Sequence, residues 1–311
     1  MSRVVYEGPM DEFGLIDTFV SRFDVAPPPR GPGDDCAVLG SQGPSCVTTD
    51  AVFEGVHFTR PAFSLEDVGH KALAVNLSDL AAMGARPSWF TVALGLPRGT
   101  TAAMLRKLGD GMSGLARTHG AELIGGNVTR AAQLSVTVTI AGALDGPALL
   151  RSGARAGDAL YVSGPLGDAA AGVKAKSAAL RKAQRRPTPH LAFGQLARTL
   201  CSAAIDVSDG LAQDLGHLCQ ASGLGAELES SALPMSQALL RSAGSRRAAI
   251  PFALTGGEDY VLLVAVRRSE PFEAAMTRAG FVFHHLGWLR EGRGVKLDGA
   301  PLRGKLGFKH L

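Results

Sequence analysis

Six short motifs in this chain repeat one design, in which small residues and oxygen-bearing side chains stand at the end of an apolar segment. Carboxylate, hydroxyl and amide oxygens are the hard donors that Mg²⁺ prefers in proteins. A fold that brings the ends of these segments together would hold several divalent cations around a polyanion. The motifs are Gly31 to Val38, Cys46 to Asp50, Asn76 to Asp79, Gly125 to Thr129, Ala204 to Leu211 and Leu254 to Tyr260.

The apolar patterning predicts interleaved strands and helices, and hence an α/β (α+β) fold. Ser135 to Leu144 alternates Val and Ile with Thr, which is the period of a half-buried strand. Leu65 to Gly84 keeps apolar residues at helical spacing and ends at a glycine. In the second half we predict strands at Ala159 to Ser163 and Tyr260 to Val266, and helices at Gly167 to Lys176 and Gly210 to Ala221.

The chain has room for two domains, because it has 311 residues and a hydrophobic content of 46%. Leu144 to Asp158 contains three glycines, a proline and two arginines, a composition typical of a polar connector. We therefore predict an N-terminal domain over residues 1–147 and a C-terminal domain over residues 148–311.

Charge and cysteine content exclude several classes of protein. The net charge of +4 and the pI near 9.0 favour phosphorylated ligands mildly and fall short of a nucleic-acid-binding protein. The four cysteines form no C-x-x-C pair, so we expect reduced thiols. The acidic N-terminal segment and the short apolar runs predict no signal peptide and no membrane span. We therefore expect a cytoplasmic enzyme without nucleic-acid or membrane partners.

Each acidic motif, taken alone, has a purely structural alternative. The acids of Gly33 to Asp35 could form a solvated turn, and Asp79 could face solvent on its predicted helix. Ser208 or Asp209 could cap the following helix, although capping would leave the other acid of that motif unexplained. For Thr48 to Asp50 we favour metal binding, because two hydroxyls and a carboxylate end a predicted strand.

The chain carries none of the common phosphate-binding fingerprints. Its only Gly-Lys pair, Gly304-Lys305, lacks the preceding glycine spacing of a Walker A motif. A dinucleotide fingerprint and a protein-kinase catalytic loop are also absent from the sequence. A nucleoside triphosphate would therefore have to be neutralised by Mg²⁺ held on carboxylates, which the sequence supplies.

Five segments, in order along the chain, resemble thiamine-monophosphate kinases, and the match covers essentially the whole sequence. The fifteen-residue block from Lys71 to Ala85, KALAVNLSDLAAMGA, is the most specific of them. The other four are Gly33 to Ala37, Thr48 to Asp50, Asp206 to Leu211 and Gly256 to Tyr260.

The resemblance implies the two-domain fold of the aminoimidazole-ribonucleotide-synthetase superfamily, with N-terminal domains that pair into a homodimer. The strand predicted at Ser135 to Leu144 also needs partners. The implied reaction is transfer of the ATP γ-phosphoryl group to thiamine monophosphate, giving thiamine diphosphate and ADP in the last step of thiamine diphosphate biosynthesis. Since the second pKa of a phosphate monoester is about 6, the attacking oxygen is anionic at neutral pH. Direct in-line transfer then needs no general base.

Carried over by position, the resemblance also implies the site residues. Several Mg²⁺ ions would be bound by Asp35, Thr48, Thr49, Asp50, Asp79, Asp206 and Asp209, of which Asp35 and Asp209 would act in catalysis. ATP would contact Gly126, Asn127, Arg151 and Ser208, and thiamine monophosphate would contact His57, Glu258 and Phe308.

Two of these positions depart from the family pattern. Asn127 stands where the family often has a metal-binding aspartate, so the oxygen donor is kept and the charge is lost. Phe308 lies in a tail that lacks the tryptophan with which the family can stack on its substrate. The metal site is therefore predicted more firmly than the substrate pocket.

Two alternative functions stay open. One is another ATP-using member of the superfamily. Selenophosphate synthetases carry a reactive cysteine or selenocysteine in an N-terminal glycine-rich segment, whereas no cysteine precedes Cys36 here. The hydrogenase-maturation relative ends in a functional cysteine, whereas this chain ends in Lys309-His310-Leu311. The other is a non-catalytic nucleotide sensor that keeps the fold without turnover. Mg²⁺-dependent release of ADP in the presence of thiamine monophosphate separates a kinase from both.

Overall fold

The computed structural model describes residues 12–25, 43–304 and 306–307, and the chain divides into two compact units. The first unit comprises Met1–Asn76 and Pro87–Ala143, and the second comprises Leu77–Arg86 and Leu144–Leu311. The domain boundary predicted after residue 147 stays a prediction. The assignment of the internal segment Leu77–Arg86 to the second unit was not foreseen.

The first unit is built on a four-stranded sheet with the strand order β1-β4-β2-β3. Strands β1 and β4 are antiparallel, and β2 and β3 are parallel. Its strands are β1 Ser45–Phe53, β2 Arg86–Leu96, β3 Glu122–Arg130 and β4 Ser135–Ala143, and its helices are α1 Glu12–Val20, α2 Leu65–Ala82 and α3 Ala102–His119. The end of α2, from Leu77, and the first residue of β2 belong to the second unit.

Strand β4 confirms the alternation read from the sequence. Val136, Val138 and Ile140 are fully buried, whereas the threonines between them are half-buried. The strand lies inside the sheet, between β1 and β2, so its hydrogen-bond partners come from the same chain. The need of this strand for partners is therefore no argument for a dimer.

Helices α2 and α3 approach each other closely at two glycines. A Cβ at Gly69 would lie 2.0 Å from Leu108 O, and a Cβ at Gly111 would lie 1.9 Å from Glu66 O. Both distances are far below van der Waals contact, so only glycine fits at this crossing.

The second unit contains a seven-stranded sheet in the order β11-β10-β7-β9-β5-β8-β6. Only β7 and β10 pair in parallel, and the other described ladders of this sheet are antiparallel. Its strands are β5 Ala159–Val162, β6 Ala203–Asp206, β7 Gly225–Leu228, β8 Leu262–Val266, β9 His284–Arg290, β10 Gly294–Leu297 and β11 Ala300–Pro301. Its helices are α4 Asp168–Gly172, α5 Ala178–Arg185, α6 Leu191–Ala197, α7 Leu211–Ser222, α8 Gln237–Ala243, α9 Arg246–Thr255 and α10 Ser269–Arg278.

The core of the second unit packs α7 against the sheet. Leu211, Leu215 and Leu218 of α7 are fully buried together with strand residues such as Val162 and Leu263. This spacing places the three leucines on one face of α7. The turn at residues 207–210 joins β6 to this helix. Mixed helices and sheets in both units confirm the predicted fold class.

Two predicted elements are shorter in the structure. The helix predicted from Gly167 is only Asp168–Gly172, and the strand predicted from Tyr260 begins at Leu262. Tyr260 has a φ of 51°, which is incompatible with a strand.

Two findings bear on the class of protein. Among the described helices, none is long and apolar enough to cross a membrane. Cys46, Cys201 and Cys219 are free thiols, and Cys36 lies outside the described residues.

Candidate active site

Asp206 is the last residue of β6 and is 5% exposed. Ser78 Oγ donates a hydrogen bond to Asp206 Oδ2 at 2.7 Å. Burial, and then the neighbouring carboxylate of Asp79, raise the pKa of Asp206 to about 8, against smaller opposing effects of Ser78 and Arg151. A buried carboxylate at this position therefore carries a proton, or needs a cation close by.

Asp79 and Asp206 together form an acid pair, which the sequence predicted as two metal ligands. Asp79 is half-buried near the end of α2, and the exposed Arg151 supplies positive charge nearby. Two neighbouring carboxylates that are shielded from water repel each other, and a bound cation offsets this repulsion. Carboxylate oxygens are also the ligands that Mg²⁺ prefers. The residues present therefore fit a magnesium ion.

The turn between β6 and α7 carries Ser208 and Asp209, both half-buried. The N-cap of α7 is Gly210, which has no side chain of its own to accept a cap hydrogen bond. Gln213 Nε2 donates to Asp209 Oδ2 at 2.7 Å, so the Asp209 carboxylate is held by a side chain of the helix. Neither Ser208 nor Asp209 caps α7, and the structural alternative considered for them does not hold.

Asp214, from inside α7, holds the backbone of the same turn. Its Oδ2 accepts hydrogen bonds from the N–H groups of Asp209 and Gly210, both at 3.0 Å. Burial raises the pKa of Asp214 to about 7 although these backbone donors oppose the shift. Ligand atoms of Asp209, Asp214 and the exposed His217 lie within 4.8 Å of one another.

The glycine loop before β8 is joined to this turn by two backbone hydrogen bonds. Glu258 N–H donates to Ser208 O at 2.7 Å, and Tyr260 N–H donates to Val207 O at 2.8 Å. A Cβ at Gly257 would lie 2.6 Å from Ser208 O, so the close approach requires glycine there. The structure thus brings Glu258 beside Ser208 and Asp209.

The backbone of this loop is held in an uncommon conformation. Glu258 and Tyr260 have φ angles of 71° and 51°, in the left-handed region that non-glycine residues rarely adopt. Between them, Asp259 accepts hydrogen bonds from Gly167 N–H at 2.6 Å and Ala169 N–H at 3.3 Å, which anchors the loop to the start of α4. Backbone strain of this kind persists where the surroundings fix it, and it concentrates at functional sites.

The predicted ligands of the first unit do not share one face of β1. Thr48 and Asp50 lie opposite the buried residues Ile140 and Val138, whereas Thr49 points to the other face by the alternation of the strand. Thr49 Oγ1 donates to Val138 O at 3.0 Å. The structure therefore groups Thr48 with Asp50 and leaves Thr49 apart from them.

His57 follows β1 and is half-buried. Its Nδ1 accepts a hydrogen bond from Phe53 N–H at 3.0 Å, which leaves the proton of a neutral imidazole on Nε2. Lys71, almost fully buried, donates from Nζ to the His57 carbonyl at 3.5 Å. The turn thus presents His57 as a hydrogen-bond donor through Nε2.

The remaining predicted residues lie on β3 or outside the described residues. Gly126 and Asn127 are exposed on β3, where a Cβ at Gly126 would lie 2.2 Å from Val92 O. Asp35 and Phe308 fall outside the described residues, so their predicted roles stay predictions.

Sequence reasoning missed three side chains of the second unit, namely Ser78, Gln213 and Asp214. A usable signal existed for the last two, because a helix that starts near residue 210 places residues 213 and 214 one turn inside it. Ser78 gave no such signal, since its partner Asp206 is 128 positions away in the sequence.

The chain matches two protein-family models. Residues 33–144 match AIR synthase related protein, N-terminal domain, and residues 155–299 match AIR synthase related protein, C-terminal domain. A thiamine-monophosphate kinase from Salmonella typhimurium is 40% identical over 315 residues, which cover 94% of this chain and 95% of that protein.

Solved structures agree with these matches. Thiamine-monophosphate kinase from Stenotrophomonas maltophilia K279a gives a TM-score of 0.84 at 38% identity, over 94% of this chain and 98% of that one. AaThiL complexed with AMPPCP and TMP gives a TM-score of 0.79 at 33% identity, over 96% and 97% of the two chains. With this likeness along nearly its whole length, the chain belongs to the thiamine-monophosphate kinase family.

Proposed function

We propose that this chain is the ATP-dependent kinase that phosphorylates thiamine monophosphate to thiamine diphosphate, the last step in the biosynthesis of that cofactor. Membership of the family supports the proposal, and one solved relative is a complex with AMPPCP, an ATP analogue, and TMP. Within this chain, the observation that carries it is the acid pair of Asp79 and Asp206 next to the turn of Ser208 and Asp209.

Magnesium, in several copies, is the proposed metal. Asp79 and Asp206 would bind it on the buried side of the site, and Asp209 would add a half-buried carboxylate from the turn. Bound there, Mg²⁺ would screen the triphosphate and the charge that develops on the transferred phosphoryl group. The proposed ligands of the first unit are Thr48, Thr49 and Asp50, with Asp35 outside the described residues.

The chain has to position two anions and needs no base of its own. The acceptor phosphate is largely dianionic at neutral pH because its second pKa is about 6. Ser208 and Arg151, with Gly126 and Asn127, are the proposed ATP contacts. Orientation of the attacking oxygen in line with the γ-phosphorus is then the main contribution of the protein.

Thiamine monophosphate is the proposed partner of His57, Glu258 and Phe308. His57 can donate from Nε2, because Phe53 N–H occupies Nδ1. The backbone N–H of Glu258 donates to Ser208 O, so its side chain is placed by a loop that is hydrogen-bonded to that turn. Phe308 would offer a ring for stacking in place of the tryptophan of the family.

A direct assay tests this function. The purified chain is incubated with ATP, thiamine monophosphate and MgCl₂, and thiamine diphosphate and ADP are quantified by chromatography. We expect equal amounts of both products, and none when EDTA replaces Mg²⁺ or when thiamine or an aminoimidazole ribonucleotide precursor replaces the acceptor. Formation of ADP with the aminoimidazole ribonucleotide precursor would instead indicate another activity of the superfamily. Binding of ATP without formation of ADP would indicate a non-catalytic sensor.

A homodimer formed through the first unit is also proposed. One face of β1 exposes Val47 to 62% and Phe53 to 45%, and these two side chains alternate with the face that packs inward. Exposed apolar side chains on an open sheet face are typical of a protein interface. A cytoplasmic location stays a prediction from the sequence.

A further inference from the structure

Residues Gln213 and Asp214 of α7 both reach back to Asp209, and they hold different parts of it. Gln213 Nε2 donates to the Asp209 carboxylate at 2.7 Å. Asp214 Oδ2 accepts from the backbone N–H groups of Asp209 and Gly210, both at 3.0 Å. The side chain and the backbone of Asp209 are thus fixed from the same helical turn.

The bonds of Asp214 differ from those of an ordinary helix cap. A capping side chain stands at the N-cap and accepts from the N–H groups of the first helical turn. Here the N-cap is Gly210 and Asp214 lies inside the helix. Its bond to Gly210 resembles the returning arm of a capping box, but its bond to Asp209 lies one residue outside the helix. That second bond serves the turn rather than the helix.

The position of this carboxylate is costly for folding alone. Asp214 is 2% exposed, on the face of α7 that buries Leu211, Leu215 and Leu218. A nearly buried carboxylate is disfavoured against an apolar side chain of similar volume unless backbone donors satisfy it. The backbone N–H groups that hydrogen-bond to this carboxylate belong to Asp209 and Gly210. These hydrogen bonds therefore stabilise the conformation of the turn.

We propose that Asp214 is a positioning residue for phosphoryl transfer: through the N–H groups of Asp209 and Gly210 it sets the orientation of the turn that presents Ser208 and Asp209 to the nucleotide and its metal. This inference rests on the proposed function of that turn. Asp214 acts by accepting hydrogen bonds and not as a metal ligand. A displacement of about 1 Å at reacting groups can lower a rate by 10²-fold.

The test compares Asp214→Ala with Asp214→Asn. Alanine removes the acceptor, whereas the asparagine oxygen can still accept from both N–H groups. We expect D214A to lose about 10²-fold or more in kcat, to bind Mg²⁺–AMPPCP more weakly in calorimetry, and to show faster amide exchange at Asp209 and Gly210. We expect D214N to stay within about fivefold of the wild type in each measurement.

Thr101→Ala is the matched control, because Thr101 caps α3 in the first unit through a bond from Met104 N–H at 3.3 Å. It should lower the Tm by a few degrees and leave kcat and nucleotide binding unchanged.

Three outcomes would overturn the proposal. D214N as damaged as D214A with unchanged exchange at Asp209 would mean that Asp214 acts through its charge. Full activity of D214A would mean that the turn needs no anchor. If D214A does not fold, the measurements on D214N replace it. Amide exchange at Asp209 and Gly210 as slow as in the wild type, together with a loss of about 10²-fold in kcat, would overturn the proposal. Absence of kinase activity in the wild type would refute the proposed function, while the binding and exchange measurements would still test the positioning role.

Discussion

Asp209 has a half-buried carboxylate, and its backbone N–H is held by a hydrogen bond to Asp214. Its two possible roles, helix capping and metal binding, can therefore be tested separately. Its side chain accepts a hydrogen bond from Gln213 and makes no cap bond to α7. A substitution that keeps the shape and removes the charge should therefore cost little stability. The same substitution should cost much activity if the carboxylate binds Mg²⁺.

We expect Asp209→Asn to unfold within a few degrees of the wild type and to lose about 10²-fold or more in kcat, the scale on which loss of an electrostatic catalytic contact acts. Saturating ATP, thiamine monophosphate and Mg²⁺ are used in the assay. Asp145→Asn is the control, because it removes one negative charge from a side chain that is 71% exposed in the connector. Near-normal ADP formation by D209N would exclude Asp209 as a metal ligand.

The raised pKa of Asp206 predicts how stability depends on pH. Between the ordinary value of 3.8 and about 8, the folded protein keeps a proton that the unfolded chain has released. Stability without Mg²⁺ therefore falls as the pH rises through this window, by at most about 1.4 kcal/mol for each pH unit crossed.

Asp206→Asn should abolish this loss. In EDTA we expect the variant to be as stable as the wild type at pH 4.5 and more stable at pH 8.5, measured by thermal unfolding. Mg²⁺ at pH 8.5 should raise the Tm of the wild type by more than that of D206N, because the variant lacks one ionised carboxylate that binds the ion. If the difference in Tm between the wild type and D206N stayed the same at both pH values, ionisation of Asp206 would not destabilise the folded protein.

At this scale the sequence identified the acids and missed what holds them. Asp206 was singled out because helix capping could not explain it, and the structure buries it next to Asp79. Asp214 and Ser78 were missed, because their importance lies in hydrogen bonds to Asp209 and Asp206 that no spacing rule specifies. Alternation along β1 turns the side chain of Thr49 away from that of Thr48, which the motif did not indicate, and the metal-binding role of Thr49 stays a prediction.

At the scale of elements, the apolar periodicity of the sequence predicted the strands whose residues are buried in a regular pattern. Strand β4 alternates and is half-buried as read, and Leu262–Val266 is an apolar run that is fully buried. The start of β8 could not be read from hydrophobicity, because Tyr260 is apolar and yet has a left-handed backbone fixed by the loop around Asp259. Local backbone strain leaves no mark in an apolar pattern.

Helix α3 offers a matched pair of glycines for testing the close packing against α2. We expect Gly111→Ala to destabilise the protein by about 2 kcal/mol or more, because the new Cβ would meet Glu66 O at 1.9 Å. A Cβ added at Gly114, three residues on, would have no atom within 4 Å. Gly114→Ala should therefore stabilise by about 0.5–1 kcal/mol through helix propensity alone.

Urea unfolding of both variants and the wild type measures the two changes. Opposite signs would confirm that the space beside α2, rather than helix propensity, decides the residue at 111. Equal effects of the two alanines would show that α2 and α3 can separate at little cost.

At the scale of the whole molecule, composition and the connector indicated two domains, but not how the chain divides between them. Residues 77–86 belong to the second unit, although residues 77–82 continue α2 from the first unit without a break. A continuous helix gives no compositional signal where its contacts change from one unit to another. This segment carries Ser78 and Asp79, so the acid pair with Asp206 lies entirely in the second unit.

The proposed dimer is tested by the mass in solution and by one exposed valine. With a chain of 32.2 kDa, light scattering at tens of micromolar protein should give twice that mass for the wild type. Val47→Glu should shift the equilibrium to monomer, because a charge buried in an apolar sheet interface is left unpaired and desolvated. Val282→Glu is the control, since Val282 lies in the second unit and is also 62% exposed. A monomeric wild type, or a V47E variant that stays dimeric, would show that this face of β1 does not pair two copies of the chain.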